Sequence, residues 1–440
     1  MTTHAWSFDR YIADQKNGLL VGMSISETDR LFLQSLKEKV RQRIKQVFSE
    51  TKKLLQKFDR AGENSTKSTL LKIALKQTSL KYLPDAETEQ LVKIFIAMSD
   101  TAYNAFIAVP APRFLTQGSF AYHTINKPYH KPPQEMDLDE GAYLPMAIFE
   151  EPAIGHRLLI LLVDSSLKSL CIENSGWEFS EKNTCGRISI KSRHIHIDVP
   201  MYAIPEKQFE LREAALNAKR ILKADQGFSF SAYDAILESY DTALDPDSVY
   251  LALRNKDKWT KSDPKIVADW FHAAVKRHGE NLRGFCRVLK GWRDVKLPEA
   301  PLSSITLMKC AVDTLDNHVL QNQDDLTAVL KLIIEKLPAQ LRAGVESPDS
   351  SDEGVLLFPR PGVSEEDKVG VIAQAEILAL SYTRALYTST KEIALEKLEE
   401  LFGCRGQTSD LIVTQLAAPA YKVTASVTPL QSCSDEMQSG

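Results

Sequence analysis

Asp137 and Asp139, in the run QEMDLDEGAY, are two acids separated by a single residue. On a strand, alternate side chains face the same way. Their Cα atoms then sit roughly 7 Å apart, so the two carboxylates can converge on an ion pair spaced roughly 4 Å. A third acid, Asp198, belongs to the alternating stretch Gly186 to Pro200. There Ile195, Ile197 and Val199 point one way, and His194, His196 and Asp198 the other. If these strands are neighbours, three carboxylates share one site, and hard oxygen donors suit magnesium better than zinc. One ion would activate an attacking hydroxyl and the other would neutralise a leaving pyrophosphate. A D-x-D pair alone is also found on many exposed loops. A calcium loop is excluded, because Gly141 comes one position early and the third ligand position is missing. His194 and His196 read as outward-facing residues of the strand rather than as ligands.

Gln117-Gly118-Ser119 supplies a second requirement. Glycine lets backbone approach a phosphate closely, and serine can donate to its oxygens. Farther on, Arg283, Arg287 and Lys290 are spaced four and three, so they share one helix face. That face could meet triphosphate oxygens across a cleft or simply be solvated. Ser304, at a helix entry, has nearby backbone N–H groups that favour an anion, although capping accounts for it equally well.

Other elements must position these groups. Ser26 to Phe58 reads as one long helix, with Leu33, Leu36, Val40, Ile44 and Val47 at steps of three and four. Ser26 is its expected cap, with Asp29 in the first turn. Lys37, Lys39, Arg41, Arg43 and Lys45 read as a solvated face. A second helix is expected over Glu87–Phe106. Leu158–Val163, short and saturated with apolar residues, reads as a buried strand. After Pro205 the pattern turns helical, with Asp263-Pro264 as a start signal. Glu346–Gly354 and Phe358–Asp367 are loop-like, and the chain from Ala418 reads as a flexible tail. The expected architecture is α+β. A core over 1–210 includes the N-terminal helix, a helical lobe over 211–417 completes a cleft, and the tail covers 418–440.

The chain has 440 residues, enough for two lobes. Its 54 basic and 58 acidic side chains give a net charge of -4, whereas a grip on long nucleic acid usually needs a basic excess. A nucleotide partner is therefore expected to be small. Cys171, Cys185, Cys286, Cys310, Cys404 and Cys433 show no zinc spacing and read as reduced thiols. Met1–Asp14 lacks the pattern of a signal peptide, and no apolar run is long enough to span a bilayer. The expected location is cytoplasmic.

Gly-Ser, then D-x-D, then a third Asp on a strand is the order found in polymerase-β-type nucleotidyltransferases. The segments TQGSFAYHTIN, QEMDLDEGAYLPM, IGHRLLILLVDSSLKSL, TCGRISI, HIDVPMYAIP, SDPKIVADWF, LKGWRD, SSITLM and GVESPDSSDE resemble the bacterial cGAS/DncV-like nucleotidyltransferases, and in particular their DncV type. The resemblance runs from Trp6 to Asp352, and more loosely to the end. The stretch between Ser119 and Asp137, which holds HKPPQ, is longer than in many nucleotidyltransferases, and His123 stands where the DncV type carries an acid.

The resemblance implies a two-lobed fold with catalytic, metal-binding Asp137, Asp139 and Asp198. It implies two Mg2+ ions, with Mn2+ as a substitute. It places nucleotide contacts at Gln117, Gly118, Ser119, Phe120, Ala121, Tyr122, Arg187, Ser262, Lys290, Ser304 and Asp349. The implied product is 3′,3′-cyclic GMP-AMP made from ATP and GTP without a nucleic-acid template, in antiphage (CBASS) signalling. The implied partners are an effector switched on by the product, a phospholipase in the DncV type, and a ubiquitin-type E1/E2 enzyme that conjugates the C-terminal Gly440. A different cyclic or linear oligonucleotide product and a catalytically idle nucleotide-binding regulator stay open. An RNA-extending enzyme is disfavoured by the charge.

Overall fold

The computed structural model describes residues 5–58, 64–109, 111–145, 152–205, 249–255, 258–319, 322, 324–349 and 354–415. The boundary expected near residue 210, the tail 418–440 with Gly440, and residues 350–353 lie outside them. In chain order the elements begin with β1 (Trp6–Ser7), α1 (Asp9–Ala13), α2 (Leu19–Gly22), α3 (Glu27–Lys57), α4 (Asn64–Leu75), α5 (Asp85–Ala97) and α6 (Asp100–Ala108). Next come β2 (Arg113–Gln117), α7 (Gly118–Ala121), β3 (Met136–Pro145), α8 (Pro152–Glu173), β4 (Glu178–Glu181), β5 (Cys185–Ile190), β6 (Ile195–Ile204), β7 (Tyr250–Leu253) and β8 (Lys258–Lys261). The remainder is α9 (Pro264–His278), α10 (Asn281–Lys296), α11 (Ser304–Asp316), α12 (Leu326–Ala343), β9 (Val345–Glu346), β10 (Leu356–Phe358), α13 (Glu365–Ala385), α14 (Lys391–Phe402) and β11 (Val413–Thr414).

Seven strands form one mixed sheet in the order β2-β3-β6-β5-β4, with β7 on β6 and β8 on β7. Only the β3–β6 pair is parallel. Its parallel register sets Asp137 beside His196 and Asp139 beside Asp198. The long helix α3 starts at Ser26, whose hydroxyl accepts from the Asp29 N–H. All five stripe residues from Leu33 to Val47 are buried.

Four expectations change. The chain after Pro205 is not helical throughout, because β7 and β8 join the sheet through β6. Leu158–Val163 is not a strand: it is the middle of helix α8, with all six residues buried. This helix touches α3, α5, β4, β5 and β8. A helix covered on most sides loses its polar stripe, so its sequence cannot be told from a buried strand. The single helix expected over Glu87–Phe106 is two, α5 and α6, because Met98 leaves the helical region and Ser99 caps a new helix by accepting from the Ala102 N–H. The basic face of α3 is mostly packed rather than solvated, with Lys39 exposed. Arg41 Nε donates to Glu140 Oε1 at 2.8 Å, Arg43 donates to Ser169 Oγ and Glu173, and Lys37, Lys39 and Lys45 lie over the rings of Phe120, Trp177 and Phe114.

Two large cores form. One joins α3, α5, α6 and α8 to the sheet. The other is built by α9 to α14, and Phe8, Tyr11, Ile12, Leu19 and Met23 from the N-terminal segment pack into it. Among the described residues no single helix is long and apolar enough to cross a membrane; α5 and α6 pass that test only as a pair bent by 110°.

Candidate active site

Strand β2 ends at Gln117, and the chain turns at once into the four-residue helix α7. Gly118 takes φ +64°, and a Cβ there would collide with the Asp139 carboxylate. Glycine is required twice over, for the left-handed backbone and for the contact with Asp139. Gln117 is the ladder partner of Asp139. Its amide donates to the Tyr143 hydroxyl at 2.8 Å and accepts from the Tyr202 hydroxyl at 3.3 Å, and the two tyrosine rings stack at 4.7 Å.

Asp137, Asp139 and Asp198 share one face of the β3–β6 pair, as their spacing predicts. Among the described residues, ligand atoms of Asp137, His196 and Asp198 lie within 4.8 Å of one another. His196 is the residue that sequence reasoning missed. It sits directly across from Asp137, with Nδ1 2.8 Å from Glu135 Oε2 and Nε2 2.8 Å from Asp137 Oδ1. The second contact lacks the alignment of a hydrogen bond, so Asp137 Oδ1 and His196 Nε2 are both unsatisfied. An unsatisfied carboxylate oxygen beside an unsatisfied ring nitrogen, with two further acids on the same face, fits a hard divalent cation. The alternation of HIHID was the available signal, and it could not reveal which residue lies opposite His196.

The electrostatics agree. Burial, then Asp137 and Asp198, push Asp139 up to about 8. Burial opposes a charged His196, but the contact with Asp137 outweighs it and the ring's pKa is raised. Asp198 receives a bidentate grip from Arg187, its antiparallel neighbour, at 2.6 and 2.7 Å.

The helical lobe closes a cleft of about 600 Å³ over this face. Asp263 caps α9 by accepting from the Lys265 N–H, with Pro264 in its first turn. Ser303 caps α11 and leaves Ser304 at the rim. Gln117, Gly118, Ser119, Tyr122, Asp137 and Asp139 form one wall, and Lys290, Arg293, Ser304, Met308 and Arg360 the other. Of the expected contacts, Phe120, Ala121, Arg187, Ser262 and Asp349 stand outside this lining. Lys290 is buried, its Nζ donating to the Thr124 carbonyl at 2.7 Å. Burial, with Arg293 nearby, lowers it to about 8.

The expected cationic face of Arg283, Arg287 and Lys290 divides among three tasks. Arg283 pairs with Glu280. Arg287 donates to Asn126 Oδ1 and to the Leu20 carbonyl. Only Lys290 reaches the cleft. The long HKPPQ-bearing segment is a strap on α10. Asn126 Nδ2 donates to the Arg287 carbonyl at 2.8 Å and Gln134 Nε2 to the Asp294 carbonyl at 2.5 Å.

Residues 112–202 match the nucleotidyltransferase domain described as "Cyclic GMP-AMP synthase DncV-like", and residues 279–415 match "Cyclic GMP-AMP synthase, C-terminal domain". A cyclic GMP-AMP synthase of Escherichia coli is 42% identical over 94% of this chain and 95% of its own length. One from Vibrio cholerae is 40% identical over 99% of each. The crystal structure of Vibrio cholerae DncV with the linear intermediate pppA(3′,5′)pG superposes with a TM-score of 0.81 at 38% identity, covering 94% of this chain and all of that one. That of DncV with GTP and 5MTHFGLU2 reaches 0.82 at 39% identity over the same shares. With both halves of the chain matched and its cleft built around the Gly118–Asp139 contact, this protein belongs to the DncV-like family of cyclic GMP-AMP synthases.

Proposed function

We infer that this chain is a nucleotidyltransferase that condenses ATP and GTP into cyclic GMP-AMP and releases pyrophosphate. The observation that carries this reading is the row of acids on β3 and β6, with Gly118-Ser119 packed beside them, facing Lys290 and Ser304 across the cleft. Relatives near 40% identity carry the name of that activity. One has been crystallised with a linear dinucleotide intermediate.

Asp137, Asp139 and Asp198, with His196 beside them, would hold magnesium, or manganese in its place. Such cations favour deprotonation of a 3′-hydroxyl and offset charge on a departing pyrophosphate. Gly118 admits phosphate close to the backbone, and Ser119 donates to it. Ser304 Oγ accepts from Arg293 Nη1 at 3.0 Å, which leaves its own proton to donate into the cleft. Lys290 supplies a cation on the same wall. Val267, Ile305 and Met308 offer apolar surface to a base. Phe120 and Ala121 hold the turn behind Ser119, and Tyr122 lines the cleft next to them. Ser262 and Asp349 complete the nucleotide contacts, whereas Arg187 acts through its grip on Asp198. The linear intermediate then turns over and closes through a second 3′–5′ bond, giving the 3′,3′ product. Positioning and charge stabilisation supply most of the acceleration.

The test is purified protein with magnesium and all four ribonucleotides, read by mass spectrometry and phosphodiesterase mapping. Cyclic GMP-AMP is expected, and it should vanish in Asp137→Ala/Asp139→Ala protein that stays folded. A linear product would replace this reading with an oligonucleotide synthase.

We extend the proposal to a cytoplasmic antiphage (CBASS) role in which the product switches on an effector, a phospholipase by family analogy. Gly440 would serve an E1/E2-type conjugating enzyme. Deleting Gly440 should abolish conjugation while leaving synthesis intact.

A further inference from the structure

Among the described residues, the lysine and arginine side chains that line the cleft are Lys290, Arg293 and Arg360. The first two are already engaged. Lys290 donates to the Thr124 carbonyl. Arg293 donates to Asp294 Oδ1, the Leu302 carbonyl and Ser304 Oγ. Arg360 has no side-chain hydrogen bond or ion pair among the described residues, and it is exposed at the cleft.

Its backbone is held firmly. Arg360 stands between Pro359 and Pro361, two residues after Phe358, which is fully buried and belongs to β10. Prolines on either side restrict the backbone, so the turn fixes the point from which the Arg360 side chain extends. The same wall offers donors, the Ser304 hydroxyl proton and the first turn of the thirteen-residue helix α11, and among the described residues its one carboxylate, Asp294, is engaged by Arg293. An arginine in such surroundings suits a phosphate, which it can grip in bidentate fashion. The opposite wall carries Asp137, Asp139 and Glu135, so a polyanion crossing the cleft needs compensation from the helical side.

We propose that Arg360 is a substrate-binding residue that grips the triphosphate of the nucleotide lying against the helical lobe. This rests on the nucleotide-cleft reading above and adds a residue to it. Because the turn is exposed and its buried anchor is Phe358, replacing Arg360 leaves the fold intact.

The experiment measures binding of 3′-deoxy-GTP and 3′-deoxy-GMP, with magnesium, to full-length wild type, Arg360→Gln and Arg360→Lys. Arg360→Gln is expected to weaken the triphosphate about 10- to 100-fold, as for loss of a charge-assisted contact, and the monophosphate less than threefold. Arg360→Lys should recover part of the loss. In steady state KM should rise more than kcat falls. Equal losses for the two nucleotides, or none, would overturn the assignment. A wild type that binds neither would overturn the cleft reading itself, a result distinguishable because it precedes any mutation.

Discussion

Arg187 lies directly across the β5–β6 ladder from Asp198 and grips both carboxylate oxygens, at 2.6 and 2.7 Å. The guanidinium offered by family resemblance as a nucleotide contact is thus committed to the third acid of the site. Both side chains are mostly buried, and truncating one member of such a pair strands the other charge. Arg187→Ala should lower metal-free stability by about 1–3 kcal/mol, and should raise the magnesium concentration needed for half-maximal synthesis. Urea unfolding and a magnesium titration check both. An unchanged magnesium dependence, with only nucleotide KM affected, would return Arg187 to the nucleotide.

Asp139 presents a pH signature. Its pKa in the folded protein, about 8, lies above the ordinary 3.8. The group's stabilising contribution is therefore complete below the unfolded pKa and is lost as pH rises through the folded one. Metal-free protein should lose stability between about pH 4 and 8. Asp139→Asn should flatten that slope and raise stability at pH 8. Because cations bind the ionised form, their apparent affinity should climb with pH up to the same range. Thermal melts with and without magnesium read both effects.

Lys290, lowered to about 8 by burial and Arg293, can pair with a triphosphate only while protonated. Affinity for a non-reactive ATP analogue should hold below pH 8 and weaken by up to about tenfold per pH unit above it. Binding at pH 8 should take up protons. Calorimetry in two buffers of different ionisation enthalpy measures the uptake. Lys290→Met should remove both effects, and a flat wild-type profile would contradict the assignment.

Gly118→Ala needs no charge to be damaging. A Cβ at φ +64° is strained and would collide with the Asp139 carboxylate. Left-handed backbone in a non-glycine residue costs about 1–2 kcal/mol. The larger effect should be on catalysis, a loss of about 100-fold or more through displacement of Asp139. Activity falling far more than melting temperature is the expected pattern.

Much was legible in the sequence because it depends on neighbours along the chain. The 3.6-residue stripe of α3, the Ser26 cap and the Asp263-Pro264 start are local signals. The D-x-D spacing puts two acids on one strand face whatever surrounds them. Other features depend on which segment lies next to which, and only the tertiary structure decided those. Burial on most sides made Leu158–Val163 resemble a strand, although it is a helix. Parallel β3–β6 register turned His196 from an outward strand residue into the partner of Asp137. The packing of α3 on the sheet drew Arg41 to the buried Glu140, a contact between residues 99 positions apart. The same holds where Arg287 meets Asn126 and where Arg360 joins the cleft wall. Local propensity determines the elements, whereas desolvation and pairing among distant residues determine which charges remain available to a substrate.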